Sequence, residues 1–268
     1  MTSSGRMPGW LAAIVGAAVL IVIWWFLSVT VFAPDAGTTF TAVPSPFDVF
    51  RQIADDGFNV YWAFFQVTIT EAAWGFLYGN ALALLLAATV LLAPKLEGIV
   101  LQIGVVTYCL PIVAVGGISI VVLGGAKRAG DPSATAIFLS AFLVFFTTLV
   151  GAILGFKAAD RASLDLVSVY GGGRFTQLRK VRLIAALPAI LNALQVAVPT
   201  SILGAVLGEY MGATDRSVGI MLIRLQGNLD SVRVWAVFLL CAGVAIAGYA
   251  LLGLVGRLLT PWVSGRTT

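Results

Sequence analysis

The sequence predicts an all-α polytopic membrane protein of six transmembrane helices, with both ends of the chain on the cytoplasmic side. Three observations predict it. The chain is 60% hydrophobic and 10% charged, with a mean hydropathy of +1.01, whereas soluble domains run at roughly 45–50% apolar and 25% charged. Apolar runs of about 20 residues or more recur along it, long enough to cross a hydrocarbon core about 30 Å thick. Lysine and arginine collect in one polar stretch between those runs, as they do in cytoplasmic loops. Nothing divides the 268 residues into two, so residues 1–268 are expected to form a single membrane domain.

The first run, Met7–Pro34, contains no charge, and Trp10–Phe32 is the first span. A secretory signal has an apolar region of only about 7–15 residues and a small-residue cleavage site. This run is longer, and Trp24-Trp25-Phe26 is a poor processing site; Arg6 would keep the N-terminus inside. A polar segment follows over Ala33–Phe65. Pro44-Ser45-Pro46 cannot continue a helix, and from Ser45 the apolar Phe47, Val49, Phe50, Ile53 and Phe58 alternate with polar residues. That pattern predicts a short amphipathic helix on the outer membrane face. Residues 67–93 form the second span. Glu71 sits near its start, about 6 Å from the end at the helical rise, where interfacial water is expected to solvate it, the alternative being a role in the pathway.

Pro94-Lys95-Leu96-Glu97 is a tight cytoplasmic turn, and residues 99–125 form the third span. Pro111 breaks that span and Gly116-Gly117 loosen it, which fits either a cavity-lining weak point or a packing kink. Lys127–Asp131 is an outer loop, and residues 134–155 form the fourth span. The fifth span, 183–210, holds Pro188 and Pro199 and ends at Glu209. An outer loop over Met211–Arg233, with a short surface or re-entrant helix around Gly219–Leu225, leads to the sixth span at 234–256. This topology places ten lysines and arginines inside and six outside (Arg51, Lys127, Arg128, Arg216, Arg224, Arg233). Gly75/Gly79, Gly151/Gly155 and Gly204/Gly208 repeat the G-x-x-x-G spacing that lets helices approach closely.

The net charge of +4 orients helices and does not point to nucleic acid, since no basic stripe carries interleaved aromatics. Cys109 and Cys241 lie in apolar runs, and the chain has no histidine, so zinc or haem would find almost no ligands. No G-x-x-x-x-G-K-[ST] occurs, so the chain cannot cradle ATP phosphates in a P-loop. It is expected to bind no cofactor and no metal, and to have no catalytic residues.

The segment Phe156–Arg182 organises the rest. It holds eight of the 28 formal charges, between two runs of spanning length. A short amphipathic piece comes first, with Leu164, Val167 and Tyr170 on one side; such a helix can lie in the groove of a partner. Gly171, Gly172 and Gly173 then permit a sharp reversal toward the membrane. Arg174, Arg179, Lys180 and Arg182 can pair with partner acids or lipid phosphates. The competing reading is a solvated basic loop without a partner.

Asp165-Leu166-Val167-Ser168-Val169-Tyr170-Gly171, then Val181-Arg182-Leu183-Ile184 and Leu187-Pro188, resembles the cytoplasmic loop of ABC-importer inner-membrane permeases, nitrate/sulfonate/taurine-type branch. That loop reads E-A-A-x-x-x-G with I-x-L-P about nine residues on and a further L-P. Asp165 stands for the Glu, Leu166 and Val167 for the two Ala, and Ile184 for the first Pro; Gly171, Leu183, Leu187 and Pro188 match. Val43-Pro44-Ser45-Pro46 is similar to the family's outer lead-in segment, and Gly208-Glu209-Tyr210-Met211-Gly212 to its G/A-E-x-x-G. The likeness covers most of residues 40–260.

The resemblance implies a MetI-like, type I importer fold in the bacterial cytoplasmic membrane. It implies two copies of a separate ATPase, which carry the ATP and magnesium, and an extracytoplasmic solute-binding protein docking on the outer loops. It also implies a second permease copy, identical or paralogous, since the substituted Glu-Ala-Ala leaves room for a heterodimer. Membrane lipid is the remaining partner. Leu164, Asp165, Val167, Tyr170, Gly171, Gly172, Gly173 and Arg174 would couple to the ATPase. Thr107, Tyr108, Pro111, Gln195 and Thr200 would line the pathway of a small organic or inorganic solute. The alternative, an ion-coupled secondary transporter, would normally need intramembrane carboxylates or histidines; Glu71 and Glu209 are the obvious candidates, both placed near helix ends. An intramembrane enzyme fails for want of a catalytic constellation.

Overall fold

The computed structural model describes residues 8–33, 41–212 and 215–264, so Arg6 and Arg266, assigned to the inner ends, lie outside the described residues. In chain order the helices are α1 (Gly9–Thr30), α2 (Pro46–Asp56), α3 (Phe58–Leu92), α4 (Glu97–Cys109), α5 (Ile112–Leu123) and α6 (Ala134–Lys157). Then come α7 (Arg161–Val169), α8 (Arg174–Gln177), α9 (Leu183–Met211), α10 (Val218–Gly227), α11 (Ser231–Leu259) and α12 (Pro261–Ser264). No strand occurs among the described residues.

Among the described residues five helical runs are long and apolar enough to cross a membrane: α1, α3, α6, the continuous stretch Arg174–Met211 and α11. The predicted third span is different. It divides into α4 and α5, which bend by 94° against each other, a broken span or a re-entrant loop. The cause is local: Pro111 has no N–H to donate and pushes Leu110 into an extended conformation at ψ 130°. The second span also starts earlier than expected. Only Gly57, at φ +76°, separates α2 from α3, so Glu71 lies more than three turns inside its helix.

The described chain resolves into two compact units. In the larger, Trp62–Met221 with Leu240–Thr268, α6 is the central element. Its residues Leu139, Val144, Leu149 and Ala152 are fully buried. Lipid is as apolar as leucine, so helices here associate through close packing rather than water exclusion. All three glycine pairs serve that purpose on α6. A Cβ at Gly75 would meet Ile137 O at 2.8 Å, and one at Gly79 would meet Val144 Cγ2 at 2.5 Å. One at Gly204 would lie 2.6 Å from Ser140 Cα, and one at Gly151 would lie 2.6 Å from Ala193 Cβ. A buried polar link adds specificity: Thr148 Oγ1 donates to Asn80 Oδ1 at 2.5 Å.

The smaller unit comprises Met1–Tyr61 and Leu222–Leu239. Ser45 caps α2 as expected from its sequence, accepting from Asp48 N with Pro46 in the first turn. Trp24 stacks on Trp235 at 5.2 Å, and their indole N–H groups donate to Pro44 O and Ala42 O. Arg233 grips Asp56 through two bonds, 2.9 Å from Nε and 2.8 Å from Nη2, and also pairs with Asp230. Tyr61 and Gln52 donate to the same Asp56 carboxylate. The Arg233 hydrogen bonds outweigh the partial burial, and the Asp56 carboxyl is pulled down to about 2.

Candidate functional site

The site begins where α6 ends. Asp160 accepts from the Ser163 N–H at 3.1 Å and so starts α7 as its N-cap. The helix stops after Val169 through a Schellman turn. The Gly172 N–H reaches back to Val167 O at 2.8 Å and the Gly171 N–H to Ser168 O at 2.9 Å. Gly171 sits at φ +77°, where a side chain is strained. At Gly172 the constraint is space, since a Cβ would lie 2.5 Å from Val167 Cγ1. Both glycines are therefore required, for different reasons.

Beyond the turn, α8 folds back along α7. Gln177 clamps the two, donating to Leu164 O at 3.1 Å and to Ser168 Oγ at 2.8 Å. The chain then passes through a widened π-type turn, Leu178–Arg182, into α9. The elbow is tied to the bundle at helix C-termini, where exposed carbonyls attract cations. Arg174 Nη1 donates to Leu92 O, the last residue of α3, at 3.4 Å, and Arg182 Nη1 approaches Phe156 O at 3.5 Å. Lys157 pairs with Glu97 at the start of α4.

The elbow leaves an apolar stripe uncovered. Leu166, Val169 and Tyr170 share one face of α7 at i, i+3 and i+4; Val169 and Tyr170 are 82% and 84% exposed. Phe175 of α8 is also exposed. This corrects the face expected from sequence. Leu164 and Val167 are half-buried; Val167 packs on Gly172, and the Leu164 carbonyl takes the Gln177 clamp. Only Tyr170 of the expected trio faces outward with the stripe. Asp165, Gly171, Gly173 and Arg174 are exposed as well. Apolar residues occur on both faces of α7, so the sequence did not distinguish them. The one signal was Gln177, whose amide must find partners on the covered side.

The expected pathway residues divide into two groups. Thr107, Tyr108 and Pro111 gather at the α4–α5 bend. There Tyr108 stacks on Phe146 at 4.7 Å, and Thr107 borders an open groove of about 540 Å³ with Ile99, Gln102 and Val106. Gln195 points elsewhere, donating to Tyr249 O of α11 at 3.1 Å and lining a separate cavity with Asn192 and Arg257. Thr200 bonds within its own helix to Val196 O. Glu71 is also corrected. It is fully buried and accepts from the Ser133 N–H, so water does not solvate it. No cluster of three or more His, Cys, Asp or Glu suited to a metal occurs among the described residues.

Fold and elbow together define a helical chain with several membrane-spanning runs and an exposed apolar stripe on the elbow between two of them. The sequence profile of the binding-protein-dependent transport system inner membrane component family matches residues 79–265. The chain belongs to that family: it is the permease subunit of an ABC importer, a multi-pass inner-membrane transport component and not an enzyme. It is 26% identical to a probable ABC transporter permease of Haemophilus influenzae over 86% of this chain and 89% of that protein. It is 22% identical to the formylaminopyrimidine transport permease ThiX of Halalkalibacterium halodurans, covering 82% and 85%. It is 25% identical to the putative aliphatic sulfonates transport permease SsuC of Bacillus subtilis, covering 95% and 88%. Among solved structures, a bacterial ABC transporter that imports the acidic polysaccharide alginate shares the fold at a TM-score of 0.57 and 17% identity, covering 92% and 96%.

Proposed function

We propose that the elbow over residues 161–182 is the coupling site to a separate ATPase, and that the stripe Leu166, Val169, Tyr170 with Phe175 is its contact face. The observation that carries this is an apolar stripe held by a capped helix, a Schellman turn and the Gln177 clamp, yet left uncovered by the described residues. A helix of this kind fits a partner groove. Gly171 and Gly172 set its angle, Asp165 and Gly173 flank it, and Arg174 transmits its movement to the end of α3.

Two ATPase copies would bind ATP and magnesium. Their closure would move the elbows of two permease copies and, through α3 and α9, switch a pathway beside the α4–α5 bend between inward and outward access. Thr107, Tyr108 and Pro111 line that pathway in this reading, and Gln195 does not. A solute-binding protein would deliver the substrate, a small organic or inorganic solute. The sulfonate permease supports the nitrate/sulfonate/taurine class and the formylaminopyrimidine permease extends it to related small molecules. The chain would work as a homodimer or beside a paralogous permease.

The test is the double substitution Leu166→Asp with Val169→Asp, in cells that also express the cognate ATPase and binding protein. ATPase recovered with the permease should fall at least about tenfold, the loss of about 1.4 kcal/mol of docking energy or more, and uptake should stop. The amount of permease in the membrane should stay the same. Normal co-purification and uptake would refute the assignment.

A further inference from the structure

At the far end of the larger unit from the elbow, two carboxyl groups meet inside the protein. Glu71 of α3 and Glu209 of α9 are both 0% exposed. Each holds the start of another helix. Glu71 Oε1 accepts at 2.5 Å from the N–H of Ser133, the N-cap of α6. Glu209 Oε2 accepts at 2.6 Å from the N–H of Gly219 in the first turn of α10. Thr68 Oγ1 accepts from the neighbouring Val218 N–H at 3.1 Å, and its own hydroxyl turns back to Phe64 O. A side chain at position 219 would drive into Glu209, its Cβ 2.6 Å from the Glu209 Cβ. The site is therefore closed around these groups.

One oxygen of each carboxyl remains, Glu71 Oε2 and Glu209 Oε1. Neither receives a hydrogen bond from an N–H or O–H of the described residues, and the two carboxyls lie within interacting distance of each other. A carboxylate only accepts, so a bond between two of them needs a hydrogen that one must carry. None of the ion pairs formed by lysine or arginine among the described residues involves either group, and the Cys241 thiol of α11 lies close enough to feel Glu209. Two like charges buried in contact cannot both persist. Each carboxyl takes one backbone N–H, Glu71 that of Ser133 and Glu209 that of Gly219, so neither is singled out to carry the hydrogen.

We propose that Glu71 and Glu209 hold one proton between them, and that this proton latches the start of α10 to α3 and α6. Removing it would set two like charges face to face inside the protein, and the latch would be lost with the proton. The inference is independent of the elbow and of the substrate.

The test uses the intact transporter complex in lipid nanodiscs, as wild type, Glu71→Gln and Glu209→Gln. Infrared difference spectra of wild type against each variant should show one protonated-carboxyl C=O stretch that shifts in deuterium oxide and vanishes in both variants, because the amide N–H replaces the shared proton. Thermal unfolding of the wild type should weaken at alkaline pH, while both variants stay flat over the same range. A wild type without the band would overturn the proposal, as would a rise in its stability on adding sodium or potassium, which would make a metal cation the occupant. A band that survives in either variant means two separate protons and overturns it equally. So does an alkaline loss that persists in both.

Discussion

The two ends of the α3–α6–α9 bundle solve opposite problems with similar materials. At the elbow, apolar side chains lie exposed while polar ones do the fastening: Gln177 clamps α8 to α7, and Arg174 and Arg182 reach helix-end carbonyls. At the other end, about 40 Å along α9 at the helical rise, two carboxyl side chains are buried and glycine backbone closes over them. An exposed apolar stripe contributes nothing to the folded chain and is retained for contact with something else. A buried carboxyl is costly unless every oxygen is answered, so it constrains folding first. The elbow should therefore tolerate mutation in stability and not in function, and the carboxyl pair the reverse.

Glu209→Ala should break this contrast most sharply. It strands the buried Gly219 N–H and leaves Glu71 without its partner, at about 1–3 kcal/mol for each polar group left unsatisfied. The expected result is a collapse in folded, monodisperse protein, read by size-exclusion chromatography of solubilised membranes. Gly171→Val comes next and acts at the other end. Forcing a branched side chain to φ +77° costs about 1–2 kcal/mol locally, so the bundle should fold while uptake and ATPase association are lost; normal uptake would show that the turn does not set the coupling geometry.

Thr148→Val sharpens the buried side. It removes one enclosed hydrogen bond to Asn80, and a loss of about 1–2 kcal/mol in thermal or denaturant unfolding is expected. Asp56→Asn probes a carboxylate whose side chain is 10% exposed and pairs with a half-exposed arginine. The Asp56 carboxyl is lowered from 3.8 to about 2, so its stabilising effect is present above 3.8 and fades as the pH falls toward 2. Wild type should lose stability across that window and the variant should lose less. Lys157→Ala, which breaks an exposed pair with Glu97, should cost under about 1 kcal/mol.

Much of the architecture was legible because it follows from one-dimensional quantities. Length and hydropathy located α1, α6, α9 and α11 within a few residues. Ser45-Pro46 announced α2, the G-x-x-x-G pairs announced close contacts that all fall on α6, and Gly171–Gly173 announced the reversal after α7. Pro111 marked a break. Its size was hidden, since a proline removes one bond and restricts one neighbour whether the following helix bends slightly or by 94°. The outward face of α7 was hidden too, because Leu164, Leu166, Val167 and Val169 are interchangeable to any hydropathy measure.

By itself, then, the sequence determined a helical membrane protein, the positions of most of its spans and the elbow that resembles an importer's coupling loop. Each of these depends on residues close together in the chain. Tertiary structure alone decided that Glu71 and Glu209 meet, that Gln195 turns to α11 while Thr107 stays at the α4 groove, and that Leu166 rather than Leu164 faces outward. Those outcomes depend on how helices rotate about their axes against distant neighbours, and a rotation of half a turn leaves composition, spacing and hydropathy unchanged.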